Sequence, residues 1–248
     1  MADNRKIYFA SDFHLGLPAG SPPVEREKKV VKWLNSIVPD AKEIYLLGDI
    51  FDFWWEYKLV VPRGFTRFLG TAAAITDSGI PIHFFTGNHD MWVSDYLSGE
   101  CGFTVHTTPF TAIFNGKKFY LAHGEGLGTR NTGYKILLSI FRNKPLRVMY
   151  SALHPLIGIG IGLRWSLHSR LGKGITKEFL GEEKEDLVRY ARSVLENYKI
   201  DYFIFGHRHL AMTYKLDKES EIVFLGDWIK NANYAEWDGN SLTLRILA

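Results

Sequence analysis

The chain has 248 residues, 46% of them hydrophobic and 23% charged, with a formal net charge of +3. That suits one large α/β domain, or one domain with a modest insertion. It excludes disorder, and so small a charge does not by itself argue for nucleic acid. Cys101 is the only cysteine, so no intramolecular disulfide forms and a reducing compartment is expected.

The polar start, Met1 to Lys6, runs straight into an apolar strand with no signal-peptide pattern. Lys6 to Ala10 reads as that strand and ends at Ser11-Asp12-Phe13-His14. After Pro22-Pro23, the apolar spacing of Val30, Val31, Leu34 and Ile37 predicts a helix over 24–37. Ile44 to Leu47 is a short strand ending in Gly48-Asp49, 65–78 reads as a helix stopped by Gly79, and 81–86 is a strand ending in Gly87-Asn88-His89-Asp90. Asn115-Gly116 between apolar runs signals a hairpin whose second strand leads to Ala122-His123-Gly124. Val148 to Leu163 is nearly uncharged, but Arg147 and Arg164 bound it and His154-Pro155 breaks it. It falls short of the roughly 20 apolar residues that span a bilayer, so the protein is expected to be soluble or to lie on a membrane surface. An amphipathic helix over 182–198 precedes a strand at 201–205 that ends in Gly206-His207-Arg208-His209, and short strands with turns such as Asp238-Gly239 complete the chain.

Five times, then, a short apolar strand is followed by a loop carrying Asp, His or Asn. In open α/β sheets, sites gather where strand ends meet. Asp12, His14, Asp49, Asn88, His123, His207 and His209 are the candidate metal ligands. If the loops are extended, Asp12 and His14 point the same way, as do His207 and His209, and each pair grips one ion. Asp49, central and with two carboxylate oxygens, can bridge two cations. Nitrogen and oxygen ligands without thiolate favour Mn²⁺, with Fe²⁺ or Zn²⁺ as alternatives. Two cations roughly 3.5–4 Å apart activate water at neutral pH and neutralise charge on a phosphoryl group, and no G-x-S-x-G or partnered cysteine offers another nucleophile.

Asp12-Phe13-His14, Gly48 to Asp52, Gly87 to Asp90, His123-Gly124 and Gly206 to His209 stand as D-x-H, G-D-x-x-D, G-N-H-D, H-G and G-H-x-H. The chain resembles the calcineurin-like metallophosphoesterases over almost its whole length. The resemblance implies a four-layer α-β-β-α sandwich, of α/β (α+β) class, with two divalent metal ions at one rim. One would be held by Asp12, His14, Asp49 and His209, the other by Asp49, Asn88, His123 and His207. It further implies that His89 faces substrate to stabilise the transition state or protonate the leaving group, with the Asp52 carboxylate orienting it.

The aromatic run Gly48 to Trp55, His123-Gly124-Glu125 with Leu127 and Gly133-Tyr134, and a long insertion between His123 and His207 carry a narrower resemblance. It is to the UDP-2,3-diacylglucosamine pyrophosphatases of lipid A synthesis, which cleave a diphosphate to a lipid sugar phosphate and UMP. The chain departs from the best-known form at His89, Glu125 and Leu210-Ala211, positions that bear on substrate more than on hydrolysis. The implied partner is a UDP-linked glycolipid at the cytoplasmic face of the inner membrane.

The organisation expected is a core of residues 1–128 and 181–248 and a helical lid of 129–180. The lid carries nine basic residues and one acid, Glu178, a local +8 that leaves −5 elsewhere. Interleaved with large apolar residues such as Ile136, Phe141, Val148, Leu156 and Trp165, that composition suits an anionic lipid surface or a cover holding acyl chains while cations engage a diphosphate. Tyr134, Arg164, Arg170 and Lys173 are the expected substrate contacts. A helical subdomain packed on the core, with solvated basic faces, remains open; the few stacking aromatics argue against nucleic acid. Gly158-x-Gly160-x-Gly162 fails the dinucleotide spacing and reads as close packing or a hinge. Phe51, Phe53, Trp54 and Trp55 read as core or site wall.

Overall fold

Strand β1 (Lys6–Ala10) is apolar on both faces and buried on both. Ile7 and Phe9 enter a core between two sheets, while Tyr8 and Ala10 enter a layer of helices. The same alternation recurs in β2 (Ala41–Leu47), with Tyr45 and Leu47 inward between the sheets and Ile44 and Leu46 toward the helices. A strand covered on both faces has no polar side to show. The computed structural model describes residues 4–172 and 178–247, with the backbone alone for 169–172.

After α1 (Pro23–Ile37) and β2, the chain adds α2 (Thr66–Asp77), β3 (Ile82–Phe85), α3 (Tyr96–Cys101), β4 (Thr104–His106), β5 (Phe110–Phe114) and β6 (Lys117–Ala122). Three helices follow, α4 (Thr132–Arg142), α5 (Lys144–Ser151) and α6 (Pro155–Gly172). The rest is α7 (Asp186–Leu195), β7 (Tyr202–Phe205), β8 (Ala211–Lys215), β9 (Glu221–Leu225), β10 (Asn233–Trp237) and β11 (Leu242–Ile246). One sheet runs β11-β10-β1-β2-β3-β4 and the other β5-β6-β7-β9-β8. Helices α1 and α2 pack on the first sheet through Trp33, Leu34, Phe68 and Ile75, and α7 packs on the second through Leu187, Val188 and Ala191. The architecture is therefore the four-layer α-β-β-α sandwich.

Within the sheets β1, β2 and β3 are mutually parallel, as are β6, β7 and β9. Parallel strands put their C-terminal ends at one rim, which is why residues far apart in sequence can meet there. The hairpin closes at Asn115 (φ 49°) and Gly116 (φ 79°), the two left-handed residues a two-residue turn needs.

Two local departures from expectation have identifiable causes. Helix α7 starts at Asp186 rather than 182, because Glu185 sits extended at its N-cap and turns its buried carboxylate onto the guanidinium of Arg208 at 2.8 and 2.9 Å. Helix α2 has no side-chain cap of its own, Phe65 standing at its N-cap with φ 60°. Instead Glu27 of α1, 5% exposed, accepts from the backbone N–H of Arg67 (2.8 Å) and Phe68 (3.1 Å). Replacing Glu27 by alanine should therefore lower unfolding stability by about 1–2 kcal/mol, and Glu27→Gln, which keeps an acceptor, by less. Denaturant titration of both variants checks this; equal midpoints for E27A and the parent would refute the cap.

Candidate metal centre

Every expected ligand lies at the rim. Asp12 and His14 follow β1, Asp49 follows β2, Asn88 follows β3, His123 follows β6, and His207 and His209 follow β7. Asp12, His14, Asp49, His207 and His209 all have φ between 45° and 63°. These are five of the seven non-glycine residues with positive φ among the described residues, and each such residue costs of order 1–3 kcal/mol unless its surroundings impose it. The loops are thus left-handed kinks, not the extended segments expected. For Asp12 and His14 the outcome is the same, since both meet His209 in one group. For His207 and His209 it is not: His207 joins Asp49 and His123 while His209 joins Asp12 and His14. A kink at each residue turns the two imidazoles to different centres, where a period-two strand would have paired them.

Each carboxylate is pinned by one oxygen and presents the other. Asp12 Oδ2 accepts from Ser11 Oγ (2.6 Å) and from the N–H of His207 (3.0 Å), leaving Oδ1 3.6 Å from His14 Nε2 and 3.3 Å from His209 Nε2. Asp49 Oδ1 accepts from the N–H of His89 (2.9 Å), so it is Oδ2 alone that lies 3.8 Å from His14 Nε2 and 3.4 Å from His123 Nε2. Asp49 therefore addresses both groups through a single oxygen rather than one oxygen apiece. The imidazoles are aimed from behind. His123 Nδ1 donates to the carbonyl of Leu47 (2.8 Å), His14 Nδ1 lies 3.7 Å from Asp52 Oδ1, and His209 Nδ1 lies 3.6 Å from Asp227 Oδ2. The hydrogen bond to Leu47 sets the tautomer of His123 and directs its Nε2 toward a cation, while Asp52 and Asp227 stand behind His14 and His209 as nearby charges.

Close approach explains two glycines. A Cβ on Gly87 would stand 2.3 Å from Asp49 Oδ1, and one on Gly48, itself at φ 81°, would stand 2.6 Å from the His123 ring. Any other residue at either place would push apart the loops that bring the ligands together.

Three ligand atoms, Asp12 Oδ1, Asn88 Oδ1 and His123 Nε2, are buried without a hydrogen-bond partner. Native interiors rarely tolerate this, and His14 Nε2 also faces His209 Nε2 at 3.2 Å. Two clusters of converging lone pairs, all N and O donors, fit two divalent cations.

Protons compete with cations for these atoms. Burial raises the Asp12 carboxyl. It would raise Asp49 too, but the imidazoles of His123, His89 and His14 outweigh it and hold that carboxyl well below the usual range. Burial opposes a proton on His123, yet Asp49 overrides it and lifts the imidazole well above its ordinary value; Asp12 and Asp227 do the same for His209. His207 goes the other way, to about 3, through burial and the neighbouring His123. Cation uptake must expel the protons held by His123 and His209, so affinity rises with pH until those groups ionise unaided. Calorimetric titration in buffers of unlike ionisation enthalpy should show net proton release; equal affinity at about pH 6 and about pH 8 would contradict this.

His89 meets the backbone carbonyl of Asp52 rather than the carboxylate that was expected to orient it. Its Nδ1 lies 2.9 Å from the backbone carbonyl of Asp52, which can only accept, so Nδ1 carries a hydrogen and Nε2 is the atom left to act. The loop turn presents the Asp52 carbonyl to His89, and the carboxylate serves His14 and Ser166 Oγ (2.9 Å) instead. His89 also falls in one group with His14 and Asp49.

Several contributors escape sequence inspection. Asp90 stands next to His89, yet its buried carboxylate accepts from the N–H groups of Gly87 (2.7 Å), Asp49 (3.3 Å), Ile50 (2.8 Å) and Phe51 (3.3 Å), tying the second and third loops together. Burial and the nearby Asp49 push it up to about 7. Arg26, 1% exposed, donates to the carbonyls of His14 (2.8 Å) and Leu17 (3.1 Å) and so holds the first loop. Asp227 had a legible signal: Glu221 to Leu225 and then Gly226-Asp227 repeats the strand-then-Gly-Asp pattern of Asp49.

Above the rim opens a cavity of about 1020 Å³. Asp49, Asn88, His89, His207 and His209 form its floor, and Phe53, Trp92, Leu137, Phe141, Ile161 and Trp165 its apolar walls. Phe53 and Trp55 line it, whereas Phe51 and Trp54 belong to the core, so the aromatic run divides between the two expected roles. Tyr134 lines it, its phenol raised by burial and Glu125 and hence protonated. Arg164 does not line it: it is exposed on α6, at the edge of the face that Ile161, Gly162, Trp165, Ser166 and His168 turn to the cavity. Arg170, by its side chain, and Lys173 lie outside the described residues. Gly158 and Gly162 are packing contacts, against Tyr57 and Phe53.

A calcineurin-like phosphoesterase family model matches residues 5–211. The chain belongs to the calcineurin-like phosphoesterases. As a member it is a hydrolase with a site for two divalent cations. Among curated relatives of this phosphoesterase, one from Porphyromonas gingivalis, named UDP-2,3-diacylglucosamine hydrolase, is 42% identical over 98% of this chain and 97% of that protein. A protein of the same name from Actinobacillus succinogenes is 25% identical over 93% of this chain and 95% of its own. Among solved structures, a dimetal phosphatase from Danio rerio shares the fold, with TM-score 0.52, 14% identity, and coverage of 98% and 96%. No helix among the described residues of this phosphoesterase is long and apolar enough to cross a membrane.

Proposed function

We propose that this phosphoesterase hydrolyses the diphosphate of UDP-2,3-diacylglucosamine, releasing UMP and a lipid sugar phosphate, with Mn²⁺ as its cation, at the cytoplasmic face of the inner membrane. The observation that carries this reading is the apolar cavity whose floor holds Asp49, Asn88, His207 and His209 of the ligand set. At about 1020 Å³ it stands at the upper end of ordinary small-molecule sites, roughly 300–1,000 Å³, and its walls offer acyl chains aromatic and aliphatic contact that a nucleotide or phosphoprotein does not need.

The helices over the cavity support the surface location. Val148 (71%), Met149 (69%) and Leu156 (78%) are exposed on α5 and α6, beside Lys144, Arg147 and Arg164. Exposed apolar side chains interleaved with cations suit an anionic lipid interface, whereas a subdomain merely packed on the core would turn those side chains inward.

In this reading Asp12, His14, Asp49 and His209 would hold one cation and Asp49, Asn88, His123 and His207 the other. Bound there, the two ions would supply an activated water and neutralise charge on the phosphoryl oxygens. Water oxygen bonds to one phosphorus, the bridging P–O bond breaks, and the departing oxygen leaves as phosphate. Because Nδ1 already carries a hydrogen, His89 donates from Nε2 only as the imidazolium, and in that form it gives a proton or hydrogen bond to the charge that develops over the cavity floor. Tyr134 supplies a neutral donor in the wall.

The test is UMP release from UDP-2,3-diacylglucosamine by the Mn²⁺-loaded protein, beside a panel of soluble monoesters and diesters. Turnover of the lipid substrate that depends on acyl chains supports the reading. No UMP with brisk hydrolysis of soluble esters overturns the substrate and keeps the family chemistry.

A further inference from the structure

We infer that Ser166 is a positioning residue through which the seating of α6 sets the geometry of His89 and Asp52. This deepens the proposed function and rests on its placing of the substrate in the cavity beneath α6. Ser166 is 2% exposed. Its Oγ lies 2.9 Å from Asp52 Oδ2 and 3.2 Å from His89 Nδ1. The hydroxyl has one hydrogen and Asp52 is acceptor-only when ionised, so Ser166 donates to Asp52 and accepts from His89. One side chain of the helical segment thus closes a ring with the two groups the sequence marks as catalytic. Asp52 Oδ1 in turn lies 3.7 Å from Nδ1 of the ligand His14.

The helix can come this close because of the glycine one turn earlier. A Cβ on Gly162 would stand 2.1 Å from the Phe53 ring, so any side chain there would lift α6 and draw Ser166 away from Asp52. Phe53 is the neighbour of Asp52 in sequence, and Gly162, Trp165 and Ser166 all line the cavity. A molecule that fills the cavity therefore leans on the helix that holds His89 in place. His89 Nδ1 keeps the Asp52 carbonyl as a partner without Ser166, but one contact leaves the ring free to pivot where two do not.

The test uses the full chain loaded with Mn²⁺ and two substrates, the UDP-linked diacyl sugar and the soluble diester bis(p-nitrophenyl) phosphate. Ser166→Ala should lower kcat about tenfold on both, with KM within about twofold, the size of one buried hydrogen bond. Ser166→Thr, which keeps the hydroxyl, should recover most of the loss. The double variant with His89→Ala should be within about twofold of H89A alone, because a positioning effect vanishes with the group positioned. Unchanged kcat in S166A, a loss confined to KM for the lipid, or effects that multiply in the double variant would each overturn the inference. Should S166A not fold, Ser166→Cys, nearly the same size and a weak donor, takes its place with the same expectations. Hydrolysis of the diester but not the lipid removes the substrate reading alone, since the diester kcat values still decide the role of Ser166.

Discussion

Replacing Asp49 by alanine removes turnover, by about 10³-fold or more, and empties the protein of cations. The reason is that one oxygen, Asp49 Oδ2, faces His14 and His123 at 3.8 and 3.4 Å, so its loss takes a ligand from both clusters at once. The substitution also frees the N–H of His89, which Asp49 Oδ1 holds at 2.9 Å. Elemental analysis of purified D49A should find less than one cation per chain, with circular dichroism unchanged. Asp49→Asn separates the two effects: the amide oxygen can still accept from His89, while the charge that draws both cations is gone. An alanine variant with parental activity and two cations would dismantle the shared-ligand account.

His89→Ala should behave quite differently. Its expected effect is a fall in kcat of about 10²–10⁴-fold with cation content intact, because Nδ1 is committed to the Asp52 carbonyl, which leaves Nε2 as the ring atom to act on substrate. Metal analysis makes this a sharp test, since a ring atom of His89 also comes within reach of His14 and Asp49. Loss of kcat with two cations retained supports an acid or charge-stabilising role, whereas loss of one cation assigns His89 as a ligand instead.

How far the site could be read in advance differs from residue to residue. Asp12, Asp49, Asn88 and His123 each end an apolar strand, and a parallel sheet sends such ends to one rim whatever the loops do. His207 and His209 could not be apportioned by periodicity, because period two assumes an extended backbone and both residues are left-handed. Asp52 shows a similar limit: its place in the motif was legible, but whether its carbonyl or its carboxyl would face His89 depended on one loop torsion. Asp90 and Arg26 make their contacts through the backbone of distant loops, which no spacing encodes. In the helical segment the basic-apolar composition was plain, yet which cations reach the cavity depended on how the helices pack: Arg147 lines it and Arg164 does not.

The sequence by itself determined the inventory: which strands are buried on both faces, which loops carry nitrogen and oxygen donors, and that the donors suffice for two cations. Those are local properties, set by side-chain type and by the two-residue repeat of a strand. Only the tertiary structure decided how the donors are shared, because that turns on left-handed kinks and on glycines whose missing Cβ lets Gly87 meet Asp49 and Gly162 meet Phe53. Contacts of a few ångströms between segments 40 to 200 residues apart are fixed by how layers pack, and packing is not a property of any one stretch of chain.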